Sequence, residues 1–184
     1  MLLSFASTNE DKYIEVKSIL QRHNLEIEFC KMEVKEIQSD SVREIAIEKS
    51  RYAFSHINGP VIVEDDGLFI HELNGFPGQY SAFVAKTIGN MGILDLLRKY
   101  NDRSAEFVSI IAFSNGQTQQ VFEGKIRGQI ARDITEGGWG FDPIFIPSNS
   151  HLTFGQLQDM HKKEDFSHRS KALLQFVKWY NAKL

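Results

Sequence analysis

The chain has 184 residues, 42% of them hydrophobic and 24% charged, which excludes wholesale disorder and is enough for one sizeable core. Lys and Arg total 21 against 24 Asp and Glu, and the net charge of −3 excludes a bulk electrostatic pull toward nucleic acid or an anionic membrane. The single cysteine, Cys30, excludes an intrachain disulfide framework and a multi-cysteine zinc site. The apolar runs are too short to span a bilayer, and Met1 leads into a strand-like segment rather than a signal sequence. The expectation is a reduced, soluble, cytoplasmic, single-domain protein with no nucleic-acid or membrane partner.

Leu2 to Ala6 reads as a short buried strand. A helix follows, with Asn9 as N-cap and Tyr13, Val16, Ile19 and Leu20 at helical spacing. Leu25 to Met32 alternates as a half-buried strand. Ser41 can cap a second helix whose apolar side carries Val42, Ile45, Ala53 and Ile57. Val61 to Val63 and Leu68 to Ile70 are β-rich runs on either side of an acidic turn. Ile88 to Leu97 is helical in pattern. Glu106 to Ser114 and Gln119 to Ile130 are long strands joined at Asn115-Gly116, a strong hairpin signal. A glycine-rich turn, Gly137 to Gly140, leads to the apolar run Pro143 to Ile146. The last helix presents Leu173, Phe176, Val177 and Tyr180 on one face. Helix and strand alternate first and a long hairpin follows, which predicts an α/β fold with a mixed sheet. No linker-like segment marks a domain boundary.

Four segments ask for a chemical explanation. Ser7-Thr8-Asn9-Glu10-Asp11-Lys12 joins strand to helix, where free N–H groups, hydroxyls and a lysine suit phosphate oxygens. An ordinary polar loop with an Asn cap explains the same residues, and Glu10 and Asp11 weaken anion attraction. Glu64-Asp65-Asp66-Gly67 sets three carboxylates side by side, which calls for solvation or a bridging cation such as Mg²⁺. Lys49 falls on the apolar face of the second helix, so it either snorkels to water or faces negative charge. Gly137-Gly138-Trp139-Gly140-Phe141-Asp142-Pro143 interleaves glycine, aromatic and acid: either a ring-stacking site with Asp142 as acceptor, or a tight turn over the core. Ser167-His168-Arg169 places cations in the first turn of the last helix, against the macrodipole, with Lys162 and Lys163 upstream. A bound anion would remove that conflict; a solvated basic start is the plain alternative.

The series STNEDK, VEDDGL, GFPGQYSAF, GWGFDPIF and SHRSKAL, in this order, resembles the inosine triphosphate pyrophosphatase family, the XTP/dITP diphosphatases, over nearly the whole chain. The stretch Tyr80 to Gly89 resembles the archaeal members. The resemblance implies one domain over residues 1–184, an elongated two-lobed α/β fold with a mixed twisted sheet and a central substrate cleft, and usually a homodimer. It implies hydrolysis of ITP, dITP and XTP to the nucleoside monophosphate and pyrophosphate, cleansing the nucleotide pool, with Mg²⁺ as cofactor. The first phosphate loop then falls on Ser7, Thr8, Asn9 and Lys12, with Glu10 and Asp11 inside it. The metal-binding acids fall on Glu36 and Asp65, and Asp65 is also the proton acceptor. Lys49 meets the nucleotide. Trp139, Gly140, Phe141 and Asp142 form the base pocket, with Phe141 stacked on the purine. Lys163, His168 and Arg169 form the last nucleotide-binding cluster, His168 and Arg169 donating to the 6-keto oxygen.

Two departures stand out. Many relatives have a serine where this chain has Asp66, and Phe83 replaces an arginine common in bacterial relatives. The changed acidic segment keeps a rival reading open, a catalytically silent nucleotide-binding protein. Within hydrolases, the rival is a pyrophosphatase for modified pyrimidine nucleotides.

Overall fold

The computed structural model describes residues 2–34, 37–165 and 167–183. Strand β1 (Leu3–Ser7) feeds helix α1 (Glu10–Gln21), followed by β2 (Ile27–Lys31), α2 (Val42–Ile57) and the long strand β3 (Val61–Ile70). The two-residue β4 (Pro77–Gly78), α3 (Ser81–Thr87) and α4 (Gly89–Leu96) precede β5 (Ser104–Ser114) and β6 (Gln119–Ile130). β7 (Phe145–Pro147), α5 (Phe154–Asp159) and α6 (His168–Asn181) complete the order. Among the described residues the strands form one sheet in the order β2-β1-β3-β5-β6-β7, with β4 on β3. β1 pairs parallel with both β2 and β3, while β3–β4 and β6–β7 are antiparallel, so the sheet is mixed. The parallel half follows from the helices between its strands.

The chain divides into two compact units. The first comprises Met1–Asp65, Ser109–Gly124 and Arg169–Leu184; the second comprises Asp66–Val108 and Lys125–His168. In the first, Leu3, Phe5, Val16, Leu20, Ile62, Ile111 and Phe122 pack against Leu173, Phe176 and Val177 of α6. Each fully buried side chain of this kind contributes about 1.5–3 kcal/mol over exposure, an upper estimate for a real denatured state. In the second, Leu68, Ile70, Ile93, Leu97 and Ile130 gather around the rings of Phe107, Phe145 and Phe154.

The predicted caps are present: Asn9 Oδ1 accepts from the Lys12 N–H at 3.1 Å, and Ser41 Oγ accepts from the Glu44 N–H at 3.3 Å. The acidic turn between two short strands is corrected. Val61 to Ile70 is one continuous strand through Glu64, Asp65, Asp66 and Gly67. Gly67 allows this, because a Cβ there would sit 2.6 Å from the Gly78 carbonyl oxygen, beside the Leu68–Gly78 pair. α3 and α5 had no clear apolar period in the sequence; α5 is instead set by the Thr153–Gln156 capping box.

Candidate functional site

In the first unit, β1 ends where α1 begins, and the Asn9 cap draws the turn closed, with Ser7 Oγ accepting from the Asn9 N–H at 3.0 Å. Ser7 and Thr8 line a cavity of about 680 Å³ together with Ala6, Met32, Glu33, Val34, Lys49, Tyr52 and Glu64. Lys49 reaches it from α2, and its ammonium stands 3.7 Å from Asp65 Oδ2, the two side chains 12% and 16% exposed. Lys49 therefore faces negative charge, the sharper of the two sequence readings. Glu10 and Asp11, exposed in the first turn of α1, complement the helix dipole. Lys31, 2.6 Å from Glu10, holds the Glu10 carboxyl below the usual glutamate range through a hydrogen bond and charge attraction.

Glu64 is buried beside this cavity. Its Oε1 accepts from Ser109 Oγ at 2.7 Å and from Arg169 Nε at 2.8 Å, and Lys12 Nζ lies 3.5 Å from its Oε2. Arg169, 1% exposed, also pairs through Nη1 with Glu15. The cation at the start of α6 thus meets protein carboxylates, which supply the anion that the macrodipole conflict called for. Arg169 is buried in this unit and holds two carboxylates through Nε and Nη1.

The donor set for a metal can be tested on Asp65. It offers a partly exposed carboxylate, a hard oxygen ligand that suits Mg²⁺ with water and phosphate oxygens in the other positions. Glu64 is already committed to Ser109 and Arg169. Glu36, the other expected ligand, lies outside the described residues. Among the described residues, no group of three or more His, Cys, Asp or Glu side chains is arranged to hold a metal ion by itself. A single carboxylate with exogenous oxygens fits Mg²⁺.

In the second unit, Gly137, Gly138 and Gly140 have φ of +86°, +68° and +60°, the left-handed region that gives the glycine-rich turn its shape. Asp142 Oδ2 accepts from the Trp139 N–H at 3.2 Å and from Lys163 Nζ at 2.7 Å. The Lys163 ammonium, 1% exposed, lies 5.3 Å from the Trp139 ring centroid and 5.7 Å from that of Phe154. Asp142 and Lys163 therefore brace the turn from inside. Phe141 is 4% exposed and packs in the core of this unit. Trp139 is half-buried, and the exposed Gly140 accepts from the Asn90 side-chain amide at 3.1 Å. His168 stacks on Phe107 at 4.6 Å and 9°, with Nε2 4.0 Å from Asp66 Oδ2. The extra acid at position 66 thus has a histidine partner when the imidazole is protonated.

Sequence reasoning missed Glu15, Tyr52 and Ser109. Glu15 lies four residues before the buried Ile19, and Tyr52 three after Lys49, so helical spacing carries a signal for both. Ser109 sits in an unbroken buried strand, where no pattern marks it.

The model of the Ham1 family matches residues 3–179. A dITP/XTP pyrophosphatase of Methanopyrus kandleri is 48% identical over 182 residues, 98% of this chain and 96% of that protein. The protein of the same name from Thermococcus kodakarensis is 38% identical over the full length of both. The solved structure of the Staphylococcus aureus Ham1 protein superposes with a TM-score of 0.85 at 30% identity, covering 100% of each chain. With the whole length matched in sequence and fold, the chain belongs to the Ham1 family.

Proposed function

We propose that the protein hydrolyses non-standard purine nucleoside triphosphates, ITP, dITP and XTP, to the nucleoside monophosphate and pyrophosphate. The observation that carries this reading is the 48% identity, over 98% of the chain, to a protein named dITP/XTP pyrophosphatase. The cavity beside the start of α1, with Ser7, Thr8 and Lys49 on its walls, supports it. In this reading the two hydroxyls and the ammonium groups of Lys12 and Lys49 bind phosphate oxygens. Asp65 orients a water and accepts its proton as the water oxygen bonds to the α-phosphorus; the bond to the bridging oxygen breaks, and pyrophosphate leaves. Asp65 and Glu36 would hold Mg²⁺, which neutralises phosphate charge when bound. Trp139 and Gly140 are assigned to the purine, with Asp142 and Lys163 fixing their turn.

A cytoplasmic homodimer belongs to the same proposal. Phe83, Met91 and Ile88 on and beside α3 and α4 are 67%, 61% and 46% exposed, large apolar side chains of the kind that a second subunit covers. Sedimentation at micromolar concentration tests it, and a monomer there refutes it.

The deciding experiment incubates purified protein with ITP and Mg²⁺ and resolves the products. IMP with pyrophosphate is expected. Orthophosphate without IMP contradicts the reading, and tight binding without turnover favours the silent nucleotide binder. Asp65→Asn should lower turnover by about 10²–10⁴-fold with the unfolding midpoint unchanged; full activity in that variant removes Asp65 from its role.

A further inference from the structure

We infer that Asn90 is a positioning residue for the base-binding turn, holding the peptide between Gly140 and Phe141 in place from helix α4. The inference rests on the proposed assignment of Trp139 and Gly140 to the purine and adds a residue to which the family resemblance assigns no role. Asn90 and the turn both belong to the second compact unit.

The turn has a gap in its own hydrogen bonding. The Asp142 N–H donates to the Trp139 carbonyl and the Ile144 N–H to the Phe141 carbonyl, both at 3.1 Å. In the same i to i+3 pattern, the Gly140 carbonyl would be served by residue 143, a proline, which has no N–H. The Asn90 side-chain amide takes that place, Nδ2 donating to the Gly140 oxygen at 3.1 Å from 50 positions away in the chain. Packing does little to hold this residue, since a Cβ on Gly140 would meet nothing within 4 Å. With φ at +60° and no side chain, Gly140 has several backbone conformations open to it, so the direction of its carbonyl depends on the partner. The peptide is planar and trans, so a carbonyl held by Asn90 also fixes the Phe141 N–H on the opposite side. The amide can face Gly140 only one way, because a carbonyl oxygen accepts and Nδ2 alone donates. Oδ1 is then left buried with no hydrogen-bond partner among the described residues, which costs stability. The amide therefore contributes through its other half, the bond to Gly140.

The test compares Asn90→Ala with the unsubstituted chain in KM and kcat for ITP, and in the Kd of IMP and of inorganic tripolyphosphate by calorimetry. IMP carries the base, whereas tripolyphosphate meets only the phosphate side. Asn90→Ala should raise KM for ITP and Kd for IMP roughly 10-fold, change kcat less than about 3-fold, and change Kd for tripolyphosphate less than about 2-fold. Tm should move by less than ~2 °C, since the lost bond and the removed orphan acceptor offset each other. Equal losses for IMP and tripolyphosphate overturn the inference, because a merely structural residue weakens both alike. Unchanged IMP binding overturns it as well. If Asn90→Ala fails to fold, Asn90→Asp, of the same shape but without the donor, takes its place with the same split between the two ligands. Failure of the proposed reaction looks different: the unsubstituted chain neither hydrolyses ITP nor binds IMP. Hydrogen exchange still reports on Asn90 in that case, since Asn90→Ala should speed exchange at the Asp142 and Ile144 amides about 10-fold, and unchanged exchange there overturns the inference.

Discussion

Replacing Arg169 with methionine separates two roles for one residue. The sequence pattern puts Arg169 among base-reading donors, whereas the structure puts it between Glu15 and Glu64, 1% exposed. Methionine keeps much of the side-chain volume, so the loss is mainly electrostatic. Removing one partner of a buried ion pair costs about 3–5 kcal/mol, because the remaining charge stays buried. Ser109 and Lys12 still serve Glu64, which places the expectation toward the lower end of that range. For a chain of this length, a loss of ~3–4 kcal/mol lowers Tm by roughly 6–16 °C. Adding Glu15→Gln to Arg169→Met should recover part of the fall, since one of the stranded charges is then gone. The assay is thermal unfolding by circular dichroism, alongside kcat/KM for ITP and GTP. A Tm within ~2 °C of the unsubstituted chain, together with a tenfold or greater loss of ITP-over-GTP preference, would refute the core role and restore the base-reading one.

Other outcomes follow from single contacts. Arg103, buried in the second unit, donates to the carbonyls of Ile130, Leu97 and Ala131 at 2.9, 3.1 and 2.7 Å, and burial pulls its pKa below the ordinary value. Arg103→Met should cost about 3 kcal/mol, read as a lower urea midpoint at unchanged slope. Gly67→Ala would drive a methyl to 2.6 Å from the Gly78 carbonyl oxygen, and should destabilise by about 1–3 kcal/mol in the same measurement. The Glu10 carboxyl has a lowered folded pKa, so its pairing with Lys31 favours the fold at neutral pH and is lost as pH falls through that value. Lys31→Gln should move the Glu10 titration, followed by carboxyl NMR, up toward the ordinary glutamate value; an unmoved titration excludes Lys31 as the cause.

What the sequence reveals depends on how far apart the cooperating residues lie. The caps at Asn9 and Ser41 are local, within three residues of the groups they bind, and were readable at once. The long β5–β6 pair announced itself through Asn115-Gly116. Lys49 stands out in the sequence because a cation at an apolar helical position needs a partner, but Asp65, which it meets, lies in another element. The acidic segment read as a turn because three adjacent carboxylates suggest water, and the charges that let Glu64 continue a buried strand come from Lys12 and Arg169, far away in the chain. The same distance concealed the core role of Arg169: the sequence showed the conflict with the helix dipole, not the two carboxylates that resolve it. Phe141 and Trp139 are neighbours of one type, and only packing separates the buried ring from the half-buried one.

The composition of the first unit bears on how the protein comes into being during synthesis. Its members are drawn from Met1–Asp65, Ser109–Gly124 and Arg169–Leu184. Leu3 and Phe5 share a core with Leu173 and Phe176, far later in the chain. A ribosome must therefore synthesise everything from Leu3 through Val177 before this core can close, and until then β1 and α1 lack the apolar side chains of α6 that complete it. Contacts of such sequence separation fold slowly and leave the nascent chain open to aggregation. A chain stopped before Arg169 would lack the apolar face of α6 together with the guanidinium between Glu15 and Glu64. Termination before Arg169 should leave a first unit unable to assemble and exposed to proteolysis.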